Sequence, residues 1–329
     1  MMDILVSVCI TTYNVEDYIP QTIESVLMQK TTFPFEIIIG DDASSDHTRQ
    51  VCLSYQEKYP DKIKLVLHDK NVGVGDNNFA VIQQAQGQYI AWCDGDDYWI
   101  DEYKLQYQYE ILEKFSDVSL VHTDWLNIRD FNDTKNESKI TQNEIERFKQ
   151  GIECIEMLIL KRDSGCRFSS CMFRKVYYMD AATKHPALFF SERNCSDFSI
   201  FVAMYARGRF YHLPVVSTAY RIRKESLSFT QNKEKRYLYN LGYYRLIVFI
   251  IKTYRLSANV RDIALKRELN ELLKYTFFHQ RKQDAVELKS LATTAGYKLS
   301  FIQNILYRGS FNKILYLILH PLLSIVLKY

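Results

Sequence analysis

Glycine and proline are scarce in this chain of 329 residues, which has 11 glycines and six prolines. That composition excludes collagen-like and proline-rich proteins. A hydrophobic fraction of 47% and a charged fraction of 25% are ordinary globular values, so the chain is not disordered throughout. The length predicts two domains, or one large domain with an appendage.

Several chemical motifs are also missing. The seven cysteines contain no C-x-x-C pair, which argues against zinc-ribbon and thioredoxin-type sites. The chain has no G-x-G-x-x-G segment, no P-loop and no G-x-S-x-G segment, so hydride transfer, kinase and serine-hydrolase chemistry have no support. An odd number of cysteines, several inside apolar runs, predicts buried thiols in a reducing cytosol.

No apolar run is long enough to cross a bilayer. The longest run near the end of the sequence, Ile314–Leu327, has 14 residues, whereas a spanning helix needs about 20. Met1-Met2-Asp3 is not a basic segment followed by an apolar one, so we expect no secretory signal peptide. The expected location is the cytoplasm.

Charge is distributed unevenly and suggests a division at residue 229. Residues 230–329 carry 17 basic and 6 acidic side chains, whereas residues 1–229 carry 25 and 33. An acidic first region argues against a nucleic-acid partner. The basic, apolar second region predicts peripheral contact with the inner face of the cytoplasmic membrane. The alternative is a helical appendage that packs on the first region or on a second subunit of an oligomer.

Apolar runs and helical patterns alternate over the first 125 residues. Leu5–Thr11, Phe35–Ile39 and Tyr89–Cys93 read as buried strands, with helical spacing between them. Such alternation predicts an α/β fold with a mostly parallel sheet covered by helices on both faces. From Tyr237 onward the pattern is helical.

Polar residues follow three of these strands, where open α/β sheets bind their ligands. Thr11 and Tyr13 lie at the end of Leu5–Thr11, Asp41-Asp42 come after Phe35–Ile39, and Asp94-Gly95-Asp96-Asp97 follow Tyr89–Cys93. Three carboxylates in four residues repel one another unless a cation lies among them, and oxygen ligands suit Mg²⁺ or Mn²⁺. The alternative reading is a solvated turn that caps the next helix.

Longer stretches around these residues resemble the family 2 glycosyltransferases. That family has the GT-A fold, uses nucleotide-diphosphate sugars and inverts the anomeric centre. The resemblance covers about residues 4–125 in the correct order, weakens over 126–230 and then ends. It rests on four segments: Leu5–Gln29, Phe35–Thr48, Asn71-Val72-Gly73 and Gly87–Leu105.

The resemblance implies a role for each strand end. Thr11, Tyr13 and Asp42 would line the nucleoside pocket, with Asp41 beside it. The bland alternative for the Asp41-Asp42 pair is a helix N-cap.

The second acidic segment would form the family's DxD-type motif. Asp94 would face the ribose or the sugar and share the metal site. Asp96 would bind the Mg²⁺ or Mn²⁺ on the diphosphate, and Asp97 would support the turn.

An inverting transfer also needs a general base for the acceptor hydroxyl. The family's base is an acidic residue, often the Asp of a Glu-Asp pair before a helix. That pair is missing here, and the nearest match places the base at Asp197, after Ser196. Glu192 is the second candidate, and a helix N-cap is the structural alternative for Asp197.

Tyr220-Arg221-Ile222-Arg223 resembles a YR-x-H segment of the family, with Arg223 where His is common. Arg221 and Arg223 would place positive charge against the diphosphate of the donor. The alternative is a basic surface strand.

Together these observations predict an inverting, metal-dependent transferase that moves a sugar from a nucleotide-diphosphate sugar, with UDP favoured. The acceptor would be a glycan or a lipid-linked molecule in cell-surface polysaccharide assembly. Two alternatives stay open. A nucleotidyltransferase would need a glycine-rich basic loop, which Thr11–Asp17 is not. A sugar-nucleotide-binding protein without catalysis is compatible with Ser196 in place of the family's Glu.

Overall fold

The computed structural model describes residues 3–129, 136–138, 151–162, 164–189, 196–223 and 232–326. Two compact units divide the chain, Met1–Phe229 and Thr230–Tyr329. In the first unit the strands are β1 (Val6–Thr12), β2 (Phe35–Asp41), β3 (Ile63–Leu67), β4 (Tyr89–Asp94), β5 (Tyr98–Trp99), β6 (Val118–Arg129), β7 (Asn136–Ser138), β8 (Cys171–Arg174) and β9 (Arg209–Ile222). Its helices are α1 (Ile19–Leu27), α2 (Thr48–Lys58), α3 (Val74–Gln84), α4 (Lys104–Lys114), α5 (Ile152–Lys161), α6 (Lys175–Lys184) and α7 (Ser196–Tyr205).

The described strands form one sheet in the order β3-β2-β1-β4-β8-β6-β9-β5, with β7 paired to β6. The first four are parallel neighbours. β8 runs antiparallel between β4 and β6, β9 is parallel to β6, and β5 is antiparallel to β9. The predicted α/β fold, with its parallel sheet and a helical C-terminal region, is confirmed. The antiparallel insertion of β8 was not predicted.

The central strands follow from their apolar sequences. Val6–Ile10 of β1 and Tyr89–Cys93 of β4 are buried, as is all of β2. Strands buried on both faces need near-continuous apolar runs, because helices cover both sides of a parallel sheet. Helix α1 begins with Ile19-Pro20 and buries Ile19, Ile23 and Val26 at helical spacing.

Pro214 lies in β9, and its residue type predicts a place at a sheet edge or a bulge. Within the described residues, β5 pairs with β9 only at Thr218 and Ala219, so β9 has β6 as its one paired neighbour at Pro214. The register with β6 also shifts there, because Thr123 pairs with Leu213 but Asp124 pairs with Val216. Pro214 therefore lies at a bulge on the open side of β9, where it breaks no ladder hydrogen bond.

The second unit is helical, and several of its helices begin with side-chain caps. Ser257 accepts a hydrogen bond from the Val260 amide, and Ser300 forms a capping box with Gln303. In the part of the chain that the structure describes, we find no helix with the length and apolarity to cross a membrane. The helices are α8 (Lys233–Tyr254), α9 (Ala258–Phe278), α10 (Lys282–Thr294), α11 (Phe301–Gly309) and α12 (Lys313–Val326).

Candidate active site

The carboxyl ends of β1, β2 and β4 form one rim of the sheet. β1 lies between the other two, and its Thr12 pairs with Asp41 while its Thr11 pairs with Asp94. The turn after β4 is tied to β1, since the Gly95 amide donates to the Thr11 carbonyl at 3.0 Å. The fold therefore places side by side the three strand ends that the sequence singles out.

Asp41 is fully buried, and within the described residues only one of its two carboxylate oxygens accepts hydrogen bonds. Its Oδ2 accepts hydrogen bonds from Arg49 Nε at 2.7 Å and from the Ser44 amide at 3.3 Å. Its Oδ1 is buried and has no hydrogen-bond partner within the described residues. A buried carboxylate oxygen without a partner is costly, so this atom is available to a donor on a ligand.

Asp42 differs from its neighbour because both of its oxygens are occupied. They accept the backbone amides of Val72 at 2.6 Å and Gly73 at 3.0 Å. Asp42 thus fastens the Asn71–Gly73 turn beside the rim. In this arrangement Asp42 positions the turn, whereas Asp41 keeps one oxygen that accepts no hydrogen bond from the described residues.

The end of β1 supplies an exposed ring and a fixed turn. Tyr13 is 50% exposed, and Thr11 is partly buried. Asn14 adopts a left-handed backbone conformation, which asparagine tolerates, and its Oδ1 accepts the Ser45 amide at 2.8 Å. The β1 and β2 ends are therefore locked together with the Tyr13 ring at the surface.

The Asp94–Asp97 turn is held by a residue far along the chain, Ser169. Ser169 Oγ accepts the Asp94 amide at 3.0 Å and donates to Asp97 Oδ2 at 2.5 Å, with Asp94 Oδ2 at 3.2 Å. Trp92 Nε1 donates to Asp94 Oδ1 at 2.9 Å, and the Arg221 amide donates to Asp97 Oδ1 at 2.8 Å. Asp97 is thus a buried support of the turn, whereas Asp94 and Asp96 are only partly buried.

Gly95 allows this turn to lie against β1. A β-carbon at this position would come within 2.8 Å of Thr12 Cγ2 and 2.9 Å of the Thr11 carbonyl. Any larger residue would push the acidic turn away from the strand, so the glycine in the D-G-D-D segment has a steric reason.

The clustered carboxyl groups perturb one another. Burial, followed by the charge of Asp96, raises the pKa of Asp94 to about 7, and the charge of Asp197 acts in the same direction. Burial and the neighbouring Asp96 and Asp94 also raise the pKa of Asp97 well above its usual range. Carboxyl groups that resist ionisation in this way mark a place where a cation would be stabilised.

Two arginines close the other side of the turn. Arg221 is buried, donates to the Asp96 carbonyl at 2.5 Å and to the Gln21 side chain, and lies over the Tyr18 and Tyr98 rings. Arg223 Nη1 donates to Asp96 Oδ2 at 3.0 Å. Arg221 is therefore a structural clamp on the turn, and Arg223 is the cation that faces the Asp96 carboxylate.

Asp197 lies in the first turn of α7 with an exposed side chain, and its Oδ1 accepts the Phe198 amide at 2.8 Å. Protein atoms displace water from around the carboxyl and raise its pKa, whereas the guanidinium of Arg167 opposes this shift. Its charge also acts on Asp94, so the structure brings Asp197 to the acidic rim. Glu192, the second candidate for the base, lies outside the described residues.

Among the described residues, no group of three or more His, Cys, Asp or Glu side chains is arranged to hold a metal by itself. The rim instead has two neighbouring carboxylates, those of Asp94 and Asp96. The pKa values of Asp94 and Asp97 are raised. Mg²⁺ is commonly bound by one or two carboxylates together with substrate phosphates. The residues present therefore fit a cation that arrives with a diphosphate.

Comparison with known proteins decides the family. The model of Glycosyl transferase family 2 matches residues 7–181, more than half of the chain, and spans all three strand ends of the rim. The chain belongs to glycosyl transferase family 2. The resemblance seen in the sequence is thereby confirmed.

Two curated family 2 relatives show the range of similarity. The Escherichia coli UDP-Glc:alpha-D-GlcNAc-diphosphoundecaprenol beta-1,3-glucosyltransferase WfgD is 36% identical over 114 residues, 35% of this chain and 43% of that protein. The Staphylococcus aureus poly(ribitol-phosphate) beta-N-acetylglucosaminyltransferase TarS is 33% identical over 126 residues, 37% of this chain and 22% of that protein. The chain thus matches less than half of the length of either relative.

Solved structures share the fold over nearly the whole chain. The crystal structure of S. aureus TarS 1–349 with UDP-GlcNAc has a TM-score of 0.64 at 18% identity and covers 93% of this chain and 87% of that one. The Pyrobaculum calidifontis mannosyltransferase PcManGT with GDP-Man and Mn²⁺ has a TM-score of 0.54 at 16% identity and covers 95% of this chain and 86% of that one. The predicted GT-A type fold is confirmed.

Sequence reasoning missed Ser169, Trp92 and Arg167. Trp92 lies two residues before Asp94 in the same strand, so its indole was a candidate partner on spacing alone. Ser169 and Arg167 are some 70 residues further on, in a segment where the family resemblance is weak. Only the antiparallel insertion of β8 next to β4 brings them to the rim.

Proposed function

We propose that this chain is an inverting glycosyltransferase that moves a sugar from a UDP-linked donor to a glycan or lipid-linked acceptor. Cell-surface polysaccharide assembly is the proposed setting, because the relative TarS acts on poly(ribitol-phosphate) and the relative WfgD on alpha-D-GlcNAc-diphosphoundecaprenol. The observation that carries the proposal is the convergence of Asp41, Asp94 and Asp96 on one rim, with Asp197 acting on it.

The nucleoside would bind at the β1 and β2 ends. The vacant Asp41 Oδ1 supports a hydrogen bond from a base N–H, and Tyr13 offers an exposed ring next to it. Thr11 lies between the two acidic strand ends. Asp42 would act through the turn that it holds. This assignment exchanges the roles that the sequence suggests for Asp41 and Asp42.

The diphosphate would lie over the Asp94–Asp97 turn. Asp96, with Asp94, would hold Mg²⁺ or Mn²⁺, which when bound supplies electrostatic stabilisation of the departing diphosphate. Arg223 already faces Asp96 and would offer its guanidinium to the phosphate oxygens. Arg221 would keep the turn in place from behind.

Asp197 would accept the proton of the acceptor hydroxyl. The acceptor oxygen then forms a bond to the anomeric carbon while the bond from that carbon to the diphosphate oxygen breaks. Because attack and departure occur on opposite faces, the anomeric configuration inverts. A raised pKa makes the Asp197 carboxylate a better proton acceptor near neutral pH.

Donor binding provides the first test. A panel of nucleotide-sugars with Mn²⁺ is compared by thermal shift, and a ligand at 100 times its dissociation constant adds about 2.7 kcal/mol of stability. We expect UDP-sugars to stabilise the protein and the matched GDP-sugars not to. Donor hydrolysis or transfer then separates an enzyme from a binding protein. Stabilisation without any turnover contradicts the catalytic assignment.

We also propose peripheral contact between the second unit and an anionic membrane. Helices α11 and α12 expose large apolar side chains, and Lys298, Arg308 and Lys313 are exposed around them. Apolar surface rimmed by basic residues matches the interface of an anionic bilayer. The exposed apolar residues are Phe301, Ile302, Ile314, Leu317, Ile318, Leu322 and Ile325.

Vesicle sedimentation of the full chain tests this contact. We expect binding to phosphatidylglycerol vesicles at low salt, weaker binding at high salt, and loss of binding when Leu317 and Ile318 are both changed to Ser. Vesicles of phosphatidylcholine alone are the control. A chain that ignores anionic vesicles, and whose sedimentation velocity instead reveals a dimer that the double variant dissociates, would show that this surface is a subunit interface.

A further inference from the structure

Arg167 lies beside the active-site rim, two residues before Ser169. Its guanidinium lies over the Trp125 ring of β6, with 5.1 Å to the centroid, and over the Tyr220 ring of β9 at 5.0 Å. Tyr220 directly precedes Arg221, and Ser169 holds Asp94 and Asp97. The Arg167 side chain is thus held between two rings next to the acidic turn.

Within the described residues this guanidinium has no hydrogen-bond acceptor. Its Nε is buried without a partner, although a guanidinium carries five N–H donors along its edge. Stacking on aromatic faces leaves that edge open. A buried donor without a partner destabilises the protein, so an anion that paired with it would be favoured.

Arg209 also lies over aromatic rings, but its guanidinium donates to a carboxylate. The rings are those of Phe115 and Tyr211, and its Nε donates to Asp117 Oδ2 at 2.6 Å. Arg209 begins β9, and Tyr220 lies near the end of that strand. Among the residues that the structure describes, the lack of a carboxylate partner therefore distinguishes Arg167 from an arginine in a similar aromatic setting.

The position of Arg167 indicates which substrate it serves. Arg221 and Arg223 already surround Asp96, where the diphosphate of the donor is proposed to lie. Arg167 instead lies on the side of β6, and its charge acts on Asp197. If Asp197 meets the acceptor hydroxyl, as proposed above, a cation at this place would face the acceptor.

We infer that Arg167 binds an anionic group, a phosphate or a carboxylate, of the acceptor. The inference rests on the proposed function, because it takes Asp197 as the residue that meets the acceptor hydroxyl. It assigns a substrate class: acceptors that carry negative charge near the reacting hydroxyl. A planar guanidinium held by two rings suits two-point binding of either group.

Calorimetry with a small anionic probe tests the inference. Glycerol 3-phosphate and neutral glycerol are titrated into the protein saturated with UDP and Mn²⁺. We expect Arg167→Gln to weaken glycerol 3-phosphate binding about 10- to 100-fold, the worth of hydrogen bonds to a charged group, and to leave UDP affinity unchanged. Arg209→Gln is the matched control and should bind the probe like the unaltered protein. Arg167→Lys keeps the charge without the planar fork, so we expect intermediate binding.

A donor comparison separates the two possible sources of the anion. UDP-glucuronate and UDP-glucose are titrated into the unaltered protein and the Arg167→Gln variant. If only the unaltered protein prefers UDP-glucuronate, the arginine serves a carboxylate of the donor and the acceptor assignment is overturned. Equal probe binding by both proteins, or no probe binding at all, also overturns it. Absence of UDP binding to the unaltered protein would instead contradict the proposed function.

Discussion

The two units of this chain leave different kinds of side chain in an unfavourable environment. At the rim of the first unit, acidic side chains are drawn out of water: Asp41 and Asp97 are buried, and Asp94 resists ionisation. On the last helix of the second unit, large apolar side chains stay in water, and Ile325 is 78% exposed. A counter-charge stabilises a buried charge. Contact with another apolar surface stabilises exposed apolar side chains. We therefore expect the first unit to bind a charged ligand and the second to contact an apolar surface.

The largest effect should follow from removing the carboxylate at the centre of the rim. Asp96→Ala should lower transfer by about 10³-fold or more, because the diphosphate loses the electrostatic stabilisation of its cation. UDP affinity in Mn²⁺ should fall as well. Asp262→Ala, an exposed acidic residue of the second unit, is the control. Normal turnover by Asp96→Ala would contradict the proposal that Asp96 binds the metal ion.

A slightly smaller loss is expected at the proposed base. Asp197→Asn keeps the shape of the side chain but cannot accept the proton, so transfer should fall by roughly 10²–10⁴-fold. Binding of UDP, measured by calorimetry, should be nearly unchanged. If UDP affinity drops in parallel with transfer, Asp197 is a donor-binding residue and Glu192 becomes the candidate base.

Acid should destabilise the first unit through His122. Burial, followed by the charge of His212, lowers the pKa of His122 to about 3 in the folded chain. Below about pH 6.5 the unfolded chain binds a proton that the folded chain does not. The contribution of His122 to the free energy of unfolding therefore falls by up to about 1.4 kcal/mol per pH unit as the pH drops from 6.5 toward 3.

Urea denaturation at pH 7 and at pH 5 is compared between the unaltered protein and His122→Gln, because the raised pKa of Asp94 stabilises both proteins in acid and opposes the contribution of His122. The variant has no titrating ring at this position, so on going from pH 7 to pH 5 the unaltered protein should lose about 2 kcal/mol relative to the variant. An unchanged difference in the variant would assign the acid sensitivity to other groups.

Ser169→Ala should cost stability and disturb the rim together. The hydroxyl donates to Asp97 and accepts the Asp94 amide, so its loss leaves buried polar groups unsatisfied. We expect the free energy of unfolding to fall by about 1–3 kcal/mol. Ser290→Ala on the exposed side of α10 should change it by less than about 0.5 kcal/mol. Equal effects of the two changes would mean that Ser169 is not a support of the acidic turn.

The smallest effect is expected for a single basic residue of the second unit. Lys313→Ala should weaken binding to anionic vesicles about fivefold, since one basic residue near such a surface is worth about 1 kcal/mol. Vesicle sedimentation at low salt measures the change in binding. The affinity for UDP should stay the same. A reduction that persists at high salt would argue against an electrostatic contribution from Lys313.

Much of the site was predictable because its residues follow strands in short sequence motifs. Thr11, Asp41 and Asp94 end strands with clear apolar runs, and the parallel order of those strands places their ends together. The division of labour between Asp41 and Asp42 was not predictable. Adjacent residues in a strand point to opposite faces, and only the fold shows that the Val72 and Gly73 amides occupy one of the two carboxylates.

The amino-acid sequence by itself determined the α/β order of elements, the family and the strand ends that carry polar residues, since these depend on local periodicity and short motifs. Only the tertiary structure decided which distant residues complete the rim. Ser169 and Arg167 reach it through the insertion of β8 beside β4, and sequence spacing carries no information about such long-range pairing. The partner of each carboxylate is therefore set by how the sheet is assembled, because hydrogen bonds and ion pairs depend on distances that folding alone creates.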